Sequence, residues 1–329
     1  MKITIQMPNF NHGHYLQETI NSIRQQTYQN WEMYILDDGS TDNSWDILSY
    51  FANLDNRIKI FRSDINRGIF AAVNSLDEFC AGRGKFMHPH AADNPLISNL
   101  FFEKAIDAFQ KFPEIAIVFA LTQGVDLNGN VVGTWGSPKA DVYHLTPEQA
   151  TQEFFLSDYI AGEAVIFKDD LYRKHGGLDL DLGPLCDLFI NEALAALYGG
   201  VFIKEVVTKT SLDNNSYSRK QSIINMVNQA ALMEKKFFNL PLKSSPSQDL
   251  IDIYRNRKIG DILLYSSQMG LVNSLTQLLE LIKSWPSTRR PNYFEAIRTQ
   301  LEGIQNVIEE DLKLTIKNSL KIYSDMRYS

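Results

Sequence analysis

Over the first 120 residues, short apolar runs of strand length alternate with longer stretches in which apolar positions recur at helical spacing. Strands are expected at Lys2–Met7, Trp31–Leu36, Arg57–Phe61, Lys85–Pro89 and Ile115–Leu121. Between them, Tyr15, Leu16, Ile20 and Ile23 keep a helical period, and helices are expected over Ser44–Leu54, Ile69–Cys80 and Ile97–Phe112. Strands separated by helices of this length imply parallel βαβ units.

The pattern then changes. Asp126-Leu127-Asn128-Gly129-Asn130-Val131 reads as a hairpin turn. Residues 134–150, punctuated by Gly and Pro, read as a loop. Ala164–Phe167 is an expected strand, Lys174–Gly177 a turn, Cys186–Tyr198 a helix and Val201–Thr208 a strand. From about residue 221 helical periodicity dominates. Met226, Ala230, Met233 and Phe237 form one stripe, and Leu271, Leu275, Leu278, Leu279 and Ile282 another. Pro241–Pro246 reads as a hinge. The expected division is residues 1–220 as an α/β domain and 221–329 as a helical region.

Composition narrows the class. At 329 residues, 44% apolar and 22% charged, the chain is ordinary globular protein of about two domains. Its net charge of −7 argues against a nucleic-acid partner, which calls for a basic face. The two cysteines, Cys80 and Cys186, match no metal or redox spacing and suit a reducing compartment, although sequence alone leaves a disulfide between them open. There is no secretory-type apolar core near Met1 and no run of the ~20 apolar residues that a membrane span needs. A cytoplasmic protein is expected, with peripheral membrane contact left open.

The candidate chemistry lies at strand ends. Tyr34-Ile35-Leu36 runs into Asp37-Asp38-Gly39-Ser40-Thr41-Asp42, so a buried strand delivers two acids to its carboxyl end. The neighbouring expected strands end in Pro8-Asn9 and, after His90-Ala91-Ala92, in Asp93-Asn94. In a parallel sheet these ends share one edge, where ligands of open α/β sheets bind. The competing reading of Asp37, Asp38 and Asp42 is turn and cap chemistry.

Six segments in this order resemble the inverting glycosyltransferases of family 2: Met7-Pro8-Asn9-Phe10-Asn11, Gln25-Gln26-Thr27-Tyr28, Leu36–Asp42, Asn66-Arg67-Gly68, Ala91-Ala92-Asp93-Asn94 and Gly176-Gly177-Leu178-Asp179. The resemblance spans roughly residues 1–215. It implies a GT-A fold, α/β with a mostly parallel mixed sheet flanked by helices, and transfer of a sugar from a nucleotide-diphosphate donor, a UDP-sugar first, to a hydroxyl acceptor. By that likeness Pro8, Asn9, Asp38, Asn66, Gly68 and Ala92 contact the nucleotide, with Asp37 supporting the loop. Asp93 holds a divalent cation, Mg²⁺ or Mn²⁺, and Asp187 is the catalytic base. Asp187 as a helix N-cap, and Asp179 or Asp181 as base, are the alternatives. Arg219 or Lys220 would close over phosphate oxygens unless that stretch is a solvated loop.

The resemblance also implies a glycan, lipid-linked or protein acceptor in cell-surface polysaccharide assembly, and is compatible with a homodimer. Trp285–Pro291 offers a lipid or protein contact, or a solvated loop. Ala91 stands where the family places its first metal-binding acid. That difference sustains a second reading, a catalytically weak nucleotide-sugar-binding or scaffold protein. A nucleotidyltransferase would want a Gly-rich basic loop after the first strand, which Pro8–Gly13 does not supply. His88 and His90 have no further ligands at zinc spacing and read as sheet or pocket-lining groups.

Overall fold

The computed structural model describes residues 1–254 apart from 127, 139–142, 158, 161, 163, 212–222 and 252, and apart from the side chains of 223, 224 and 227. Two compact units divide the chain, Met1–Ser216 with Leu240–Ser245, and Tyr217–Asn239 with Pro246–Ser329. The second stripe at Leu271–Ile282, the Trp285–Pro291 segment and the Arg219–Lys220 pair lie outside the described residues.

The first unit is a mixed α/β layer structure. Four parallel strands form its first half: β1 (Ile3–Asn9), β2 (Trp31–Asp37), β3 (Ile58–Arg62) and β4 (Phe86–Pro89). Helices α1 (Gly13–Arg24), α2 (Ser44–Leu54) and α3 (Ile69–Cys80) connect them. Helix α4 (Phe101–Lys111) leads to β5 (Ile117–Val125), which turns through a hairpin into β6 (Val131–Trp135). There follow β7 (His144–Leu145), α5 (Pro147–Leu156), β8 (Val165–Lys168), α6 (Asp169–Lys174), a 3-10 helix at Leu180–Leu185, α7 (Cys186–Tyr198) and β9 (Gly200–Ser211). The strand order is β3-β2-β1-β4-β8-β5-β9-β7, with β6 on β5. Strand β8 is antiparallel to both neighbours and makes the sheet mixed.

Helices cover both faces of β1 and β2, so these strands are buried almost throughout. Ile3, Ile5, Met7, Met33 and Ile35 are fully buried in one cluster with Leu16 and Ile20 of α1 and Phe101 and Phe102 of α4. Burial of each such side chain contributes about 1.5–3 kcal/mol. Cys80 and Cys186 are separate buried thiols.

The expected loop over 134–150 is corrected. Strand β6 runs to Trp135, β7 follows, and α5 begins at Pro147. Thr146 caps α5: its hydroxyl accepts the Gln149 N–H while the Gln149 side chain accepts the Thr146 N–H, and Pro147 occupies the first turn. This is a capping box, and proline at that position starts a helix rather than breaking one. Helix α4 starts at Phe101 rather than Ile97. Gln26, buried beneath it, donates to the Ser98 carbonyl (2.8 Å) and accepts the Phe102 N–H (3.1 Å), which anchors the helix start.

In the second unit, the described helix α8 (Ile223–Phe238) buries Ala230, Met233 and Phe237 along one stripe.

Candidate functional site

Pairing places Asn9 beside Asp37 and Asp37 beside Arg62, so three strand ends lie level at one sheet edge. The loops beyond them are stitched together. Asn9 Nδ2 donates to Asp37 Oδ1 (2.8 Å) and Ser40 Oγ (3.3 Å), and Arg62 Nε pairs with Asp37 (3.4 Å). Asp37 is therefore held by its own protein neighbours. Asn11, the one described non-glycine residue with positive φ, accepts the Thr41 N–H (2.8 Å) through Oδ1. Gly39 combines φ +73° with close approach: a Cβ there would lie 2.7 Å from the Asn66 nitrogen. Only glycine meets both demands.

Asp38 points differently. It is 3% exposed, and its Oδ2 accepts the N–H groups of Arg67 (3.0 Å) and Gly68 (2.8 Å), bringing the 66–68 loop onto the β2 end. Its Oδ1 is buried without a hydrogen-bond partner, as is Asn9 Oδ1. A buried unpaired carboxylate oxygen is costly unless a ligand donor completes it. Asn66 is exposed and turns its Oδ1 onto the Gly68 N–H (2.8 Å). Ala92 is buried in the core cluster, while Asp93 is half-buried in the turn after β4.

A cavity of about 200 Å³ opens beside this edge. It brings Pro8, His90, Ala91 and Asp187 together with Gly162 and Asn191; Asp38, Asn66, Gly68, Ala92 and Asp93 do not line it. Gln6 and Tyr172 also line it, and both bond Asp77 of α3 (2.9 and 3.3 Å).

Asp187 lies in the first turn of α7, whose N-cap is Leu185. Its Oδ1 accepts the Leu188 N–H (2.7 Å). Water reaches the residue, yet crowding by the surrounding protein desolvates the carboxyl and pushes its pKa up. The backbone of Gly162 packs so closely that a Cβ there would meet Asp187 Oδ2 at 2.3 Å. Glu192, by contrast, turns to the Tyr159 and Ile160 N–H groups (3.3 and 3.4 Å).

His88 and His90 form a directional chain. His88 Nδ1 lies 2.7 Å from the Val165 carbonyl, and His90 Nδ1 lies 3.0 Å from His88 Nε2. Burial lowers the His88 pKa to about 4 and that of His90 well below its usual value, so both rings are neutral near pH 7. The carbonyl only accepts, so His88 carries its proton on Nδ1. Its Nε2 is then an acceptor, His90 donates from Nδ1, and His90 Nε2 is left as a lone pair.

The same burial has a consequence for stability. Between the ordinary histidine pKa near 6.5 and the folded value near 4, the unfolded chain binds more protons, so stability falls as pH falls through that window. His88 alone contributes a loss on the order of 3 kcal/mol. Thermal melting at pH 7 and pH 4.5 should show a clear drop in midpoint; an unchanged midpoint contradicts a buried neutral pair.

The donor set after β4 is thin for a metal. Asp93 supplies a carboxylate and Asn94 a buried, unpaired Oδ1, while Ala91 and Ala92 supply no side-chain oxygen. Among the described residues no three His, Cys, Asp or Glu side chains cluster as a metal site. Such a set fits a hard cation whose remaining positions are filled by phosphate oxygens and water.

Residues 4–167 match the model described as glycosyl transferase family 2. The chain belongs to that family. A relative from Escherichia coli, the UDP-Glc:alpha-D-GlcNAc-diphosphoundecaprenol beta-1,3-glucosyltransferase WfgD, is 29% identical over 142 residues, 43% of this chain and 53% of that protein. Aligned stretches in the first curated relatives span between 24% and 53% of their lengths. Among solved structures, S. aureus TarS 1-349 in complex with UDP-GlcNAc superposes with a TM-score of 0.60 at 16% identity, covering 91% of this chain and 88% of that one. The mannosyltransferase PcManGT from Pyrobaculum calidifontis, in complex with GDP-Man and Mn²⁺, gives 0.55 at 15% identity over 98% of this chain and 85% of that one. At these identities the structural likeness concerns the fold, which is GT-A. No described helix is long and apolar enough to cross a membrane.

Gly162 and Asn191 escaped the sequence reading: neither lies in a segment that carries the family resemblance.

Proposed function

We propose that the chain is an inverting glycosyltransferase that moves a sugar from a nucleotide-diphosphate donor, a UDP-sugar first, to a hydroxyl of a cell-surface glycan precursor. The observation that carries this reading is one sheet edge with two kinds of open acceptor: the unpaired Asp38 Oδ1 beside Asn9, and the Asp187 carboxyl at the cavity. Asp38 Oδ1 suits an imide N–H such as that of uracil, a donor facing a charged acceptor. Pro8, Asn9, Asn66, Gly68 and Ala92 complete the nucleotide side. Asp187 takes the proton from the acceptor hydroxyl as it attacks the anomeric carbon from the face opposite the diphosphate, and a single displacement inverts configuration. The upward-shifted pKa of Asp187 makes it a better proton acceptor than an ordinary carboxylate. A divalent ion on Asp93 and Asn94, when bound, would neutralise charge on the departing diphosphate. The region from 221 to 329 is left for acceptor, oligomer or membrane-surface contacts.

The test is nucleoside-diphosphate release from a panel of UDP- and GDP-sugars, with Mn²⁺ and lipid-linked glycan acceptors. Release that depends on acceptor supports transfer. The second reading, a nucleotide-sugar-binding protein with weak catalysis, is favoured by Ala91 and Ala92; binding without release would establish it.

Gly162 gives a separate check. Gly162→Ala should leave nucleotide affinity unchanged while displacing the Asp187 carboxylate. Misplacing a reacting group by about 1 Å can lower kcat by about 100-fold. An unaltered kcat would show that Asp187 is not held by this contact.

A further inference from the structure

The cavity beside Asp187 contains more unpaired polarity than a base alone requires. His90 Nε2 and both amide atoms of Asn191 have no hydrogen-bond partner among the described residues. The two side chains are 3% and 1% exposed, and both line the cavity. Buried polar atoms are nearly always paired, so three unpaired ones on two residues that line one cavity call for a polar ligand. The remaining walls include Val73, Leu76, Phe167 and Ile190, which are apolar. Apolar walls with a few convergent polar groups describe a small-molecule site.

The polarity of those groups limits the ligand. The Val165–His88–His90 chain leaves His90 with a lone pair and no hydrogen at Nε2. That atom can only accept. Asn191 can donate from Nδ2 and accept at Oδ1. A pyranose matches both, because each hydroxyl donates one hydrogen and accepts others, while its ring carbons suit the apolar walls.

We propose that this cavity is a sugar subsite in which His90, its tautomer set by His88 and the Val165 carbonyl, accepts a hydrogen bond from one sugar hydroxyl while Asn191 engages a second. The proposal rests on the transferase reading of Asp187 and deepens it by naming the residues that read the sugar. The hydroxyl belongs to the donor's sugar or to the acceptor's, and the chemistry is the same in both. His90 is a specificity residue whose ring orientation is fixed by His88. A sugar with a deoxy or O-methyl group at the position facing His90 loses this contact.

The test uses the full chain, with calorimetry for UDP, UDP-glucose, UDP-galactose and UDP-N-acetylglucosamine. Free glucose, galactose and N-acetylglucosamine are titrated onto the UDP-bound protein as the acceptor arm. His90→Phe keeps an aromatic ring and removes the lone pair. UDP affinity should be unchanged, while the gain of the tightest UDP-sugar over UDP falls about tenfold if the donor sugar is read. If the acceptor sugar is read, the UDP-sugars are unaffected and free-sugar affinity falls instead.

Nitrogen-15 histidine spectra of the wild-type chain need no variant. His90 Nε2 should appear as an unprotonated nitrogen that shifts on adding the sugar ligand and not on adding UDP alone. A histidine with a purely structural role would not respond in this way. If UDP binds but His90→Phe alters neither sugar arm and Nε2 does not move, the subsite is overturned. If UDP itself fails to bind the wild-type chain, the transferase reading falls first and the subsite falls with it.

Discussion

Asp187→Asn is expected to abolish transfer while leaving nucleotide binding intact. The substitution is nearly isosteric. Asparagine Oδ1 can still accept the Leu188 N–H that anchors the first turn of α7, and the amide occupies the space left by the absent Cβ of Gly162. What disappears is the ability to take a proton. A positioned base contributes about 10²–10⁴-fold to rate, so kcat should fall by that range while the Kd for the donor stays within a small factor. The pH profile offers an independent check. Crowding raises the pKa of Asp187, so wild-type kcat should decline as pH falls through a value above the ordinary carboxylate range, and the residual activity of the variant should lack that limb. A variant that retains kcat within tenfold would remove Asp187 as the base and return attention to Asp179 and Asp181.

The second large effect is expected at Asp38, and it falls on binding rather than turnover. Asp38→Ala removes the acceptor of two backbone N–H groups, those of Arg67 and Gly68, along with the unpaired Oδ1 assigned to the nucleotide. Each donor left without a partner costs about 1–3 kcal/mol where it is shielded from water. Because Gly68 is exposed, the lower end of that range applies to the loop itself. Loss of the charged contact to the base adds a similar amount, so nucleotide affinity should fall by about 30- to 100-fold. The melting temperature should change much less, since the Arg67 and Gly68 N–H groups that lose their acceptor belong to exposed residues. Asp38→Asn separates the two roles. It keeps an oxygen for the 67–68 N–H groups, but it places an amide donor where the nucleotide's own donor should arrive. It should therefore bind nucleotide as poorly as the alanine variant while the 66–68 loop stays in place. UDP affinity within threefold of wild type in Asp38→Ala would exclude Asp38 as the nucleotide reader.

Much of this architecture was legible because its signals are local. Helices α2, α3 and α7 begin and end where apolar period and flanking residues place them, and buried parallel strands announce themselves as apolar runs. The strand-end acids were legible for the same reason: two charges closing a buried run have few explanations. Helix α5 replaces the expected loop although Thr146-Pro147-Glu148-Gln149 states its start, because a proline such as Pro147 serves equally as loop punctuation and as the first residue of a helix. The start of α4 carried no such signal. It is set by Gln26, 76 residues away in the chain, and local periodicity cannot report that contact.

The same division holds for the site. Asp37 and Asp38 are adjacent carboxylates, and only tertiary contacts separate them: Asp37 is tied to Asn9 and Ser40 through Oδ1 and ion-paired to Arg62 through Oδ2, while Asp38 Oδ1 is buried with no hydrogen-bond partner among the described residues. His90 was noticed, but its tautomer depends on a carbonyl of β8, a strand inserted antiparallel from far along the chain. Gly162 matters through the Cβ it lacks, against a side chain 25 residues later, and nothing in its neighbourhood of the sequence says so.

The central claim is that the sheet edge formed by β1, β2 and β4 binds a nucleoside diphosphate. Calorimetric titration of the purified chain with UDP, with and without Mn²⁺, tests it most directly. We predict one saturable site per chain whose affinity increases with Mn²⁺ and collapses in Asp38→Ala but not in Asp187→Asn. Absence of binding by UDP and by GDP, in the presence and absence of Mn²⁺, would contradict it.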